Sequence, residues 1–98
     1  MDIKKEKQGN KLTVCVSGRL DTVTAPELDK VLSDELGGVS DLVIDLQGLE
    51  YISSAGLRVL LTAQKTMNRS GSMTVKNAGE SVMEVFEITG FSDILNIE

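Results

Sequence analysis

The hexapeptide Asp41-Leu-Val-Ile-Asp-Leu46 restricts this chain more than any other stretch. Leu42, Val43 and Ile44 are consecutive, so a strand here sends apolar side chains to both of its faces. That pattern marks an interior strand, typically parallel, with helices packed against it. Parallel neighbours also require crossover connections, which are usually helical. The flanks supply them. Leu28, Val31, Leu32 and Leu36 recur at helical spacing before the strand, with Asp29, Lys30, Ser33 and Asp34 between them. Thr24 is the expected N-cap, with Pro26 in the first turn and Glu27 three residues after the cap, which completes a capping box. Gly37-Gly38 ends this helix by permitting a left-handed backbone.

After the strand, Gln47 to Ile52 reads as a turn leading into a second helix over Ala55 to Arg69. Leu57, Leu60, Leu61, Gln64 and Met67 fall near one helical face, and Arg58, Lys65 and Arg69 lie elsewhere. Upstream, Ile3 to Lys7 is a plausible edge strand and Gly9-Asn10 a turn. Lys11 to Ser17 alternates strictly, with Leu12, Val14 and Val16 on one face and Thr13, Cys15 and Ser17 on the other. Gly18 to Thr22 reads as a loop. Downstream, Ser72 to Lys76 is a short strand and Glu80 to Thr89 a helix with Val82, Val85, Phe86 and Thr89 on one face. Gly90 is its C-cap glycine, and Phe91 folds back on the last turn. Ile94 to Ile97 adds a short final strand or an irregular tail. The sum is one α/β domain over residues 1–98, in the order β-β-α-β-α-β-α, with a mixed sheet of about four strands.

Composition excludes several functions. A formal charge of −5 and only three aromatic residues disfavour nucleic acid, which demands clustered Lys and Arg or stacking platforms. The chain has no histidine, which removes Ser-His and Cys-His pairs and makes a zinc site implausible. Cys15 has no partner for an internal disulfide and reads as a small buried hydrophobe. No apolar run reaches the roughly 20 residues that span a bilayer, and MDIKKEKQGNK lacks the apolar core of a secretory signal. The expected location is the cytoplasm.

Chemistry therefore centres on Ser53 and Ser54, at the start of the second helix. Ser54 as a nucleophile would need a general base. Lys65 lies eleven residues along the same helix, roughly 16 Å away at 1.5 Å per residue. Neither GxxxxGK[ST] nor GxGxxG occurs. No enzyme, cofactor or metal follows from these residues. A serine at a helix start is usually an N-cap, yet an added phosphate there would also meet exposed N–H donors and the positive end of the helix dipole. If the first two helix-linked strands run parallel, Asp21 and Thr22 come to the same sheet end as Ser54.

Three segments in order, GRLDTVTAPEL, LVIDLQGLEYISSAGLRVLL and VFEITGF, together resemble the STAS domain of bacterial anti-sigma factor antagonists. The likeness covers nearly the whole chain. In that family a serine in a pattern close to D-S-[ST]-G-L is phosphorylated by an anti-sigma factor that is also a serine kinase, and phosphorylation releases the antagonist from it. Gly56-Leu57 matches the family's Gly-Leu, which puts Ser54 on the phosphorylated serine. Ser53 stands where Asp is common and becomes a second candidate acceptor; Ala55 replaces the second Ser or Thr. Asp21 matches an acid in the family's first loop. The resemblance thus implies a phosphoprotein that regulates transcription by partner switching. Its partner surface would comprise Asp21, Thr22, Ser53, Ser54 and Arg58, facing an anti-sigma factor kinase, with a phosphatase as a further partner. The alternative from a different class is an unphosphorylated STAS scaffold in a transporter or larger regulatory complex.

Overall fold

The computed structural model describes residues 1–98. Strand β1 (Asp2–Gln8) turns through Gly9-Asn10 into β2 (Lys11–Leu20), and Gln8 pairs with Lys11 at the tip. Gly9 takes a φ of +61°, which is why glycine suits the first turn position. Helix α1 (Ala25–Glu35) leads to β3 (Asp41–Ile52), α2 (Ser54–Ser70) to β4 (Ser72–Lys76), and α3 (Glu80–Thr89) to a helical turn at Phe91–Asp93. The sheet order is β1-β2-β3-β4. The first pair is antiparallel, and β2–β3 and β3–β4 are parallel. Ile97 makes one parallel bridge to Val75, so the tail docks on the β4 edge without forming a full strand.

Two expectations about β3 are corrected. The predicted turn at 47–52 is strand, and so is the first part of the predicted loop at 18–22, because β2 continues to Leu20. The reason lies in the register. Cys15 pairs with Asp45 but Ser17 with Gly48; Gly18 pairs with Leu49 but Arg19 with Tyr51. Each shift places one extra residue on β3, which is a β-bulge. The core-facing positions of β3 therefore run 42, 44, 46, 49, 52, and the change from period two to three hides the strand. Gly48 sits in the first bulge because a Cβ there would lie 2.6 Å from Ser17 Cβ.

The other correction is to the expected covering of both faces. Leu42, Ile44 and Leu46 join Leu12, Val14, Val16, Met73 and Val75 in one core with side chains from all three helices: Leu28 and Leu32, Leu57, Leu60 and Met67, Val82 and Phe86. Val43 is buried but stands outside that core. It faces the other way, in register between Thr13 and Thr74. Its neighbours in the sheet bury it, and no helix does. The opposite sheet face is polar, and Cys15 lies on it half-buried rather than in the core. The helices form one layer, and the sheet forms the other.

Candidate functional site

The parallel pairing of β2 and β3 brings the β2–α1 loop and the β3–α2 junction to the same sheet end. The junction is a single residue. Ser53 is extended (φ −98°, ψ 176°), donates its backbone N–H to the Leu20 carbonyl at 2.9 Å, and accepts from the Leu57 N–H through its own carbonyl at 3.0 Å. The last residue of β2 thus fixes the first turn of α2. Gly56 completes the attachment. A Cβ on it would lie 2.7 Å from Leu20 Cγ and 2.9 Å from Ile52 Cγ1, so the helix start rests directly on the ends of both strands.

On this base the two serines differ. The Ser53 hydroxyl is buried, makes no hydrogen bond, and does not cap the helix. Ser54 is the first helical residue; it is exposed and its hydroxyl bonds to nothing in the protein. The first-turn N–H groups of a 17-residue helix are consequently free of side-chain caps, and the dipole adds positive potential at the same place. Arg58, exposed, stands one turn further along the same face at the i+4 position.

The β2–α1 loop is a closed turn. The Asp21 Oδ1 accepts from the Val23 N–H at 3.0 Å, the Thr24 N–H at 3.1 Å and the Thr24 hydroxyl at 3.2 Å. The Thr24 hydroxyl also lies 2.8 Å from the Arg19 carbonyl and accepts from the Asp21 N–H at 2.9 Å. Thr24 is therefore occupied upstream and makes no side-chain cap to α1, so the expected Thr24–Glu27 capping box does not form. The Thr24 N–H holds the Asp21 carboxyl below the usual carboxylate range; the Val23 N–H, the Thr24 hydroxyl and Arg19 add to this, while partial desolvation opposes it. Arg19 lies with Nε 4.0 Å from Asp21 and its guanidinium 4.3 Å from the centre of the Tyr51 ring.

Among the residues expected to meet a partner, Thr22 and Arg58 line one groove of about 380 Å³ between α1 and α2, with Ala25, Pro26, Ala55 and Val59. Ser54 starts α2 one residue before Ala55 of that groove's lining, and Ser53 precedes it. Asp21 is spent on its own loop. Two features were missed in the sequence: Val23, 85% exposed at the loop tip, and the Arg19–Tyr51 stack. An apolar β-branched residue inside a polar loop, Thr22-Val23-Thr24, was the available signal for the first. Nothing local announced the second, since the bulge alone sets Arg19 against Tyr51.

The family model of the STAS domain matches residues 2–98. The chain belongs to the STAS domain family. It is 34% identical over 99 residues to BtrV of Bordetella bronchiseptica, a protein named as an anti-sigma factor antagonist, covering 99% of this chain and 85% of the relative. It is 28% identical to the anti-sigma-B factor antagonist of Staphylococcus aureus, covering 99% of this chain and 92% of that one. The crystal structure of an anti-sigma factor antagonist from Mycobacterium paratuberculosis superposes with a TM-score of 0.89 at 26% identity, over 98% of this chain and 83% of that chain. The α/β architecture, with its four-stranded mixed sheet and three helices, is that of this STAS fold.

Proposed function

We propose that this STAS protein is an anti-sigma factor antagonist whose binding is switched by phosphorylation of Ser54. The observation that carries the reading is the contrast at the α2 start: Ser53 is locked by its backbone, while Ser54 offers an exposed, unbonded hydroxyl on a rigid helix end. The relatives named for anti-sigma antagonism support the partner class. The protein acts by binding rather than by catalysis, as the substrate of a partner kinase, and a phosphatase would reset it. No helix is long and apolar enough to cross a membrane; we place the protein's action in the cytoplasm, where sigma factors work.

The physics suits a switch. A phosphate adds about −1.5 to −2 charge near neutral pH. At the α2 N-terminus it meets uncapped N–H groups, and Arg58 is within one turn. Inside a docked interface the same dianion must be desolvated or matched. An unmatched charge costs several kcal/mol, which weakens binding by orders of magnitude.

The test incubates the protein with the purified anti-sigma factor of its own organism and ATP, followed by phosphosite mapping and binding measurements. Ser54 is expected to carry the phosphate, and Ser54→Asp to bind at least about tenfold more weakly than Ser54→Ala. An unmodified Ser54, together with wild-type affinity in Ser54→Asp, would overturn the switch and favour a constitutive STAS scaffold.

A further inference from the structure

Val23 is 85% exposed at the tip of an otherwise polar loop. It is not loosely held. The carboxylate of Asp21 receives its N–H and that of Thr24, and the Thr24 hydroxyl ties the loop back to the Arg19 carbonyl. The Ala25 N–H donates to the Asp21 carbonyl at 2.8 Å, so the loop enters α1 in one conformation. A rigid loop presents a side chain with little ordering entropy left to lose on binding. This loop follows Leu20, whose carbonyl holds Ser53, so Val23 and Ser54 are mounted on one frame. Tyr51, 42% exposed under the Arg19 guanidinium, adds aromatic surface at the same strand ends.

We infer that Val23 is the apolar anchor of the anti-sigma factor contact, and that Asp21 is a positioning residue that acts through Val23 instead of pairing with a charge on the partner. The inference rests on the function proposed above. It assigns the two loop residues opposite roles from those expected by charge: the acid is internal to the loop, and the neutral side chain is the one that docks. The partner surface must then offer an apolar recess beside the groove that receives Ser54. Contacts in well-packed, fully desolvated recesses near the centre of an interface carry a large share of its energy, whereas rim charges carry little.

The fold supplies its own control. Ile88 is 86% exposed, as open as Val23, but lies in the last turn of α3. That helix leaves the carboxyl end of β4 and runs back along the sheet, so Ile88 sits away from the Ser54 end. The experiment measures the affinity of the purified anti-sigma factor for wild type, Val23→Ser, Ile88→Ser, Asp21→Ala, Asp21→Asn and the Val23→Ser/Asp21→Ala double variant. Val23→Ser is expected to weaken binding about tenfold or more, and Ile88→Ser less than twofold. Asp21→Ala should weaken it several-fold, and Asp21→Asn should restore most of that, because an amide oxygen can accept the same two N–H bonds. In the double variant Asp21→Ala should add little. Thermal melts of each variant separate folding from binding, and Val23→Ser removes no buried contact. If wild type binds and Val23→Ser binds as well, the anchor is refuted. If Asp21→Asn is as weak as Asp21→Ala, Asp21 acts by charge and its positioning role is refuted. If wild type itself fails to bind, the proposed function falls and the anchor with it.

Discussion

Adding one methyl group at Gly56 tests whether the α2 start is seated on the strand ends. In an exposed helix, Gly→Ala stabilises by about 0.5–1 kcal/mol, because alanine loses less backbone freedom on folding. Here the new Cβ would meet Leu20 Cγ at 2.7 Å, Ile52 Cγ1 at 2.9 Å and Leu20 Cδ2 at 3.0 Å. Ordinary carbon contacts lie near 3.5–4.0 Å. Leu20 is fully buried and Ile52 nearly so, and neither can step into solvent. Overpacking of this kind costs about 1–3 kcal/mol, and two immobile neighbours argue for the upper half. Net of the helical gain, Gly56→Ala should destabilise by about 1–2 kcal/mol. For a domain of this length that lowers Tm by roughly 5–15 °C. Urea unfolding followed by circular dichroism should show a lower midpoint at unchanged slope. The cost should shrink in a Leu20→Ala background, where two of the three close carbons are gone and only Ile52 Cγ1 remains. A Gly56→Ala midpoint at or above wild type would refute the seating argument. A cost undiminished without Leu20 would remove that side chain as its cause.

Gln64 is only 7% exposed, donates to Asn68 Oδ1 at 2.9 Å, and leaves its Oε1 without a partner. Gln64→Met, of similar size, should therefore raise stability by about 1 kcal/mol, and a lower unfolding midpoint would contradict this. Ser54→Ala should change stability by less than about 0.5 kcal/mol, because the hydroxyl caps nothing; a loss near 1 kcal/mol would expose a capping role. The Asp21 carboxyl has a lower pKa folded than unfolded, so the unfolded chain binds more protons in acid. Its contribution is complete above the ordinary carboxylate value, about 3.9, and is lost as pH falls through the lowered folded value. Asp21→Asn should flatten the fall in stability below about pH 4, and an unchanged acid limb would place that proton uptake elsewhere.

What the sequence made legible was whatever repeats with a single period. The alternation of Lys11–Ser17 and the stripes Leu28-Leu32, Leu57-Leu60 and Val82-Phe86 all face the core as expected. The second half of β3 was hidden because two bulges shift its inward positions from 46 to 49 to 52, a spacing that resembles neither a strand nor a full helix. Val43 misled for another reason. In-plane neighbours can bury a side chain on an open sheet face, so three consecutive apolar residues do not require two helical layers. At the helix start, the exposed placement of Ser54 and Arg58 in the first turns of α2 was legible. The roles within Asp21-Thr22-Val23-Thr24 were not. Thr24 has the residue type of a cap, but Asp21 and the Arg19 carbonyl compete for its hydroxyl, and only the folded loop decides between them.

The continuous β3 strand bears on how a modification at Ser54 would act. Had 47–52 been a flexible turn, a phosphate there could have reorganised the backbone and carried its signal through a change of shape. Instead the strand reaches Ile52, one extended residue follows, and the helix begins against Leu20. That junction leaves little slack to rearrange. A phosphate at the first helical residue gains about 0.3–1 kcal/mol from the dipole, too little to remodel a core that includes Leu20, Ile52 and Leu57. Against a docked partner it would cost several kcal/mol. The greater cost falls on the interface, so the proposed Ser54 switch would change what the surface tolerates while the fold beneath it stays the same.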